Sequence, residues 1–161
     1  MRKLNVGVIG LGRLGYLYAA DIANRIPHAN LAAVADINAK RASSCAAELD
    51  VPAWYVDYHD LIADKSVDAV VVVTPTKTHP EVVQVAAQAG KAIFSEKPIA
   101  VTMEDALAVE QTVAATGVFF QMGFQRRFDS GYIEAKQKMA DNVIGEPVVY
   151  VGTSRDPFAP P

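Results

Sequence analysis

Apolar residues along this chain switch repeatedly between two rhythms, short unbroken runs and helical spacings. Leu4 to Ile9 is short, apolar and β-branched and ends at a glycine, which predicts a buried strand. From Arg13 to Arg25 the apolar residues Leu14, Leu17, Tyr18 and Ile22 recur at helical spacing, closed by Ile26-Pro27. Leu31 to Ala35 predicts a second strand that ends at Asp36, and Asn38 can cap a helix from Ala39 to Leu49. Trp54–Val56 reads as a short third strand and His59–Ala63 as a brief helix. Asp68 to Thr74 is the strongest strand signal, because its four consecutive valines demand burial on both faces. A helix over His79–Ala89 stops at Gly90, and a fifth strand spans Lys91–Phe94. Thr102 caps a helix to Thr116, stopped by Gly117, and Val118–Met122 is the sixth strand.

Such β-α alternation, six strands deep, predicts an α/β fold with a doubly wound parallel sheet that closes near residue 122. The rhythm then changes. Asp129 caps a helix to about Asp141, Gly145-Glu146-Pro147 turns, and Val148–Thr153 reads as one more strand before Pro157, Pro160 and Pro161. One helix and one strand cannot bury a core of their own. Residues 1–122 are therefore expected to form one domain, and residues 123–161 to begin a second whose remainder lies outside the chain. The competing expectation is an appendage that packs back on the first sheet. A strand at 148–153 would also present an unpaired edge that invites self-association.

Composition narrows the classes. With 51% hydrophobic and 20% charged residues the chain is built for a real core rather than disorder. A net charge of −3 and no run of like charges argue against a nucleic-acid partner. Cys45, the only cysteine, excludes an internal disulfide and a cysteine-based metal site, and core packing is its expected role. The apolar stretch behind Met1-Arg2-Lys3 is broken by glycines and Arg13, so no signal peptide is expected. No run is long enough for a membrane span. A cytoplasmic protein is the expectation.

Gly10-Leu11-Gly12-Arg13-Leu14-Gly15 is a GxGxxG sequence. By itself the pattern is weak, but here it follows a predicted strand and opens a predicted helix, the context of a dinucleotide-binding Rossmann fold. Gly10 would allow the tight turn, Gly12 the approach of a diphosphate, and Gly15 close helix–strand packing. The diphosphate would sit on unpaired amides at the positive end of the helix, which makes Gly10, Gly12, Arg13, Leu14 and Gly15 its candidate contacts. Asp36, at the tip of the second strand, is placed to accept hydrogen bonds from the ribose 2′-hydroxyl of NAD and to repel the 2′-phosphate of NADP. Asn38, Lys40 and Arg41 soften that repulsion, so NADP is disfavoured rather than excluded. S-adenosylmethionine also uses a glycine-rich turn, but Gly15 and the six-strand alternation point away from it.

Ligands of open α/β sheets bind beyond the carboxyl ends of the strands. Two segments there stand out: Thr74-Pro75-Thr76-Lys77-Thr78-His79 after the fourth strand, and Ser95-Glu96-Lys97-Pro98 after the fifth. Thr74, Thr76, His79, Glu96 and Lys97 are thus further candidate cofactor contacts. A lysine in such a turn is expected to be partly desolvated and close to a cationic nicotinamide, both of which disfavour its charged form. It can then assist loss of a proton from a substrate hydroxyl as hydride leaves. The plain alternative is a surface lysine paired with Glu96.

At these residues the chain resembles the glucose–fructose oxidoreductase/inositol dehydrogenase family of NAD(P)-dependent enzymes. The matching pieces are Val8–Gly15, the Thr74-Pro75-Thr76-x-x-His79 turn and Ser95-Glu96-Lys97-Pro98, and the stretch Met122–Tyr132 looks most like the myo-inositol 2-dehydrogenases. Ile144–Pro147 and Arg155–Pro157 continue the likeness. The resemblance implies that Lys97 is the catalytic lysine touching nicotinamide and substrate, and that the Lys97–Pro98 bond is often cis. It places Arg127 and Asp156 on the substrate, a polyol or sugar. It also implies a C-terminal α/β substrate domain, a homo-oligomeric full-length enzyme, and a general-base histidine that none of His28, His59 and His79 matches. The expected function is transfer of a hydride from a cyclic polyol to NAD. The alternative is a dinucleotide-binding module that does not catalyse.

Overall fold

The computed structural model describes residues 2–153 and 155. Six strands, β1 (Leu4–Ile9), β2 (Ala29–Ala35), β3 (Ala53–Tyr55), β4 (Ala69–Val72), β5 (Ala92–Ser95) and β6 (Phe120–Met122), form one sheet in the order β3-β2-β1-β4-β5-β6. Every neighbouring pair is parallel. This is the doubly wound Rossmann order, which reverses direction between β1 and β4 and so opens a crevice above their carboxyl ends. The helices between them are α1 (Arg13–Asn24), α2 (Ala39–Glu48), α3 (Tyr58–Ala63), α4 (His79–Gln88) and α5 (Met103–Thr116).

Two of the caps are those the sequence marks. Asn38 accepts the Arg41 amide at the start of α2 at 3.1 Å, and Thr102 accepts the Asp105 amide at the start of α5 at 3.1 Å. The valines of β4 explain the two-faced burial. Val70 and Val72 join one apolar layer with Ile9, Leu61, Val83, Ile93 and Val109. Val71 points the other way, into a layer with Val8, Ala19, Ile22, Val34 and Cys45. Alternate side chains of a strand face opposite sides, so an unbroken apolar run feeds both cores.

The chain divides into two compact units, residues 1–123 and 124–161. The second contains a short 3₁₀ turn, Gln125–Phe128, and α6 (Ser130–Ala140), capped by Asp129 through the amides of Gly131 and Tyr132. The expected strand at 148–153 does not form: these residues have no regular structure, and Val148 is 90% and Val151 83% exposed. A strand exists only where a second one pairs with its backbone, and the described residues offer Val148–Thr153 no such partner. The association expected through that edge therefore has no strand behind it. Among the described residues no helix is long and apolar enough to cross a membrane.

Candidate functional site

The three glycines of the first turn do three different things. Gly10 has φ +90°, and a Cβ there would lie 2.8 Å from the Val73 carbonyl oxygen and 2.9 Å from the Thr74 amide. The turn thus passes against the end of β4, which only glycine permits. A Cβ on Gly15 would run into the Gly10 carbonyl oxygen, so α1 starts in direct backbone contact with the turn. Gly12 meets nothing within 4 Å. Its open side is the cradle a dinucleotide needs, and no side chain caps the first turn of α1 there. The first amides of that helix lack intrahelical partners and face an anion with the positive end of the helix dipole.

Beside this turn lies a cavity of about 470 Å³, floored by Ile9, Gly10, Gly12 and Ala35 and walled by Val56, Val73, Thr74 and Pro75. Asp36 and Arg41 stand in its wall. Asp36 is buried, and its carboxylate accepts the Leu11 amide at 2.8 Å and the Asn38 amide at 2.9 Å. Arg41 completes the set with a salt bridge at 3.1 Å. Backbone from the glycine turn and from the β2–α2 turn thus aims this carboxylate at the cavity. A largely apolar chamber, a glycine cradle and a buried carboxylate at the end of β2 suit an adenosine diphosphate, so the residues present fit NAD.

The second crevice wall is built from the turns after β4 and β5. His79 is 2% exposed, with Nδ1 2.8 Å from the Pro98 carbonyl oxygen and Nε2 2.7 Å from the Thr74 carbonyl oxygen. It therefore braces the two turns against each other, with no ring atom spare for a ligand. Glu96 is buried too, one oxygen accepting the Tyr18 hydroxyl at 2.6 Å and the other the Lys97 amide at 3.0 Å. Burial and the Glu96 carboxylate push the Tyr18 hydroxyl well above the usual phenol range, so it stays a donor. The Lys97–Pro98 bond is cis.

Lys97 itself is exposed, its backbone held on both sides by these braces. The desolvation expected for it is thus not provided by the described residues. Glu96 does not pair with the Lys97 amine; it holds the amide instead.

Arg13 and Leu14 are exposed at the start of α1, Thr76 opens a 3₁₀ turn, and the Thr74 hydroxyl accepts that of Thr78 at 2.9 Å. In the second unit, the Arg127 guanidinium lies 5.8 Å from the Phe124 ring centroid. Asp156 lies outside the described residues. Tyr18 is the contributor that sequence reasoning missed. On α1 it reads as one more core position, and nothing local points to a partner in the turn after β5.

Residues 4–124 match the model of the GFO/IDH/MocA oxidoreductase family, NAD-binding Rossmann fold. The chain is 42% identical over 159 residues to a scyllo-inositol 2-dehydrogenase (NAD(+)) of Bacillus subtilis, covering 99% of this chain and 46% of that protein. It is 40% identical over 159 residues to a myo-inositol 2-dehydrogenase of Thermotoga maritima, covering 98% of this chain and 47% of that one. Among solved structures, the scyllo-inositol dehydrogenase of Lactobacillus casei with bound NAD(H) and scyllo-inositol superposes with a TM-score of 0.87. That match has 36% identity and covers 90% of this chain and 43% of the other. The chain spans about half the length of the curated relatives it matches. Glycine cradle, aimed carboxylate and matching fold agree: this chain belongs to the GFO/IDH/MocA family of oxidoreductases and carries its NAD-binding Rossmann fold.

Proposed function

We propose that this chain is the coenzyme-binding part of an NAD-dependent dehydrogenase that oxidises a carbinol carbon of a cyclic polyol such as an inositol. The observation that carries the reading is the buried Asp36 carboxylate, fixed by two backbone amides in the wall of a cavity that opens beside Gly12. The names of the similar proteins supply the polyol. NAD bound there would supply the hydride acceptor. Asp36 would take the ribose hydroxyls, and the open side of Gly12 with the first amides of α1 would receive the diphosphate. Lys97, held through Glu96 and through Pro98, presents its amine to the substrate hydroxyl and orients it as its proton departs. Thr74, Thr76, Arg13 and Leu14 belong to the coenzyme side of this reading, and Arg127 and Asp156 to the substrate side. Residues 123–161 are read as the start of the substrate domain, and the whole enzyme as a cytoplasmic homo-oligomer.

Calorimetric titration tests the core of the proposal. NAD is expected to bind more tightly than NADP, and Asp36→Ala to weaken NAD by about 10- to 100-fold, the worth of a hydrogen bond to a charged group. Failure to bind either dinucleotide sinks the reading. A steady-state NADH assay with myo-inositol addresses the chemistry. The proton acceptor that the resemblance implies is not among these 161 residues, and lack of a general base typically costs about 10²- to 10⁴-fold. Little or no turnover is expected from the chain alone, and substantial turnover would place the proton acceptor within it.

A further inference from the structure

The set of donors around Asp36 has a consequence for coenzyme choice, which rests on the dinucleotide reading of the cavity. A carboxylate offers roughly four acceptor positions. All are taken: Oδ1 accepts the Asn38 amide at 2.9 Å and Arg41 Nη1 at 3.3 Å, and Oδ2 accepts the Leu11 amide at 2.8 Å and Arg41 Nη1 at 3.1 Å. The two amides are fixed by the turns that carry them. Arg41 is different, because it stands on a long side chain that is 50% exposed while that of Asp36 is 6% exposed. An ion pair half open to water is weak and exchanges readily.

We infer that Arg41 is an exchangeable occupant of Asp36 that sets the discrimination between NAD and NADP. The ribose hydroxyls of NAD take over the contacts that Arg41 makes, and the guanidinium swings off Asp36 at the cavity wall. There, on the Asp36 side of the cavity, it is placed to pair with a phosphate on the same ribose. Arg41 thus acts in two directions: it competes with the hydroxyls of NAD and receives the 2′-phosphate of NADP. Lys40, its neighbour on α2, carries the same charge, is exposed and does not line the cavity.

Calorimetric titration of the wild type, Arg41→Ala and Lys40→Ala with NAD and with NADP provides the test, with thermal unfolding of each variant alongside. Arg41→Ala is expected to weaken NADP by about tenfold or more, the loss of a charge-assisted pair to phosphate. NAD is expected to hold its affinity or tighten by up to about fivefold, the range of a partly exposed ion pair. Lys40→Ala is expected to leave the ratio of the two affinities unchanged. The inference is overturned if Arg41→Ala weakens NAD, since Arg41 would then be holding Asp36 in place. An unchanged ratio, or an equal change in Lys40→Ala, overturns it as well. Should Arg41→Ala fail to fold, Arg41→Gln takes its place with the same expectations. A wild type that binds neither dinucleotide removes the reading of the cavity itself. A wild type that binds NAD while the ratios fail to move removes only the role of Arg41.

Discussion

Gly15→Ala will destabilise the first unit strongly, although alanine is the better helix former. The added methyl runs into the Gly10 carbonyl oxygen, which belongs to backbone and cannot rotate away. Relief requires α1 to lift off the end of β1, where Ala19 and Ile22 are buried against Val8 and Val34. Overpacking of this kind costs about 3 kcal/mol, and occasionally more. Alanine returns about 1 kcal/mol of helix propensity. The net loss of about 2 kcal/mol should lower Tm by roughly 10 °C for a unit of this size. Thermal denaturation followed by circular dichroism measures it, and a Tm within a degree or two of wild type would show that α1 does not pack as described.

Replacement of Gly12 by valine should do the opposite: leave the fold intact and destroy the site. Nothing stands within 4 Å of a Cβ at this position, and its backbone angles, φ −63° and ψ −173°, suit any residue. Stability is expected to change by about 0.5 kcal/mol or less, as at surface positions without special contacts. The branched side chain fills the space through which a diphosphate must reach the backbone amides. Loss of two charge-assisted hydrogen bonds lowers NAD affinity by at least about 100-fold. Unfolding and calorimetry on one sample separate the two effects. Retained NAD binding in Gly12→Val would mean that the diphosphate lies elsewhere. The two glycines are three positions apart in one motif, yet one is demanded by the packing of the protein and the other, on the proposed reading, by its ligand.

Much of this was legible locally. The GxGxxG spacing, the acid at the end of β2 and the valine run Val70–Val73 each carry their meaning in a few neighbouring residues. The capping residues Asn38, Thr102 and Asp129 likewise mark their helices within one turn. Local signals suffice there because strands, caps and turns are satisfied by atoms nearby in the chain. Val148–Thr153 shows where that fails. Its residues have the preferences of a strand, but preference is weak beside the need for a partner, and the described structure supplies none.

His79, Glu96 and Lys97 mark the same boundary at the site. Their spacing announced a crevice, but not which of them would face it. The sequence alone determined the α/β class, the six-strand rhythm, the glycine turn and the acid 21 residues beyond Gly15, because periodicity and short motifs express contacts made within a few residues. Only the tertiary structure decided that His79 and Glu96 are internal braces, that Tyr18 reaches Glu96 from 78 residues away, and that Arg41 sits on Asp36. Those contacts depend on which strands lie side by side and how deeply each turn is buried, and burial is a property of the assembled sheet rather than of any segment.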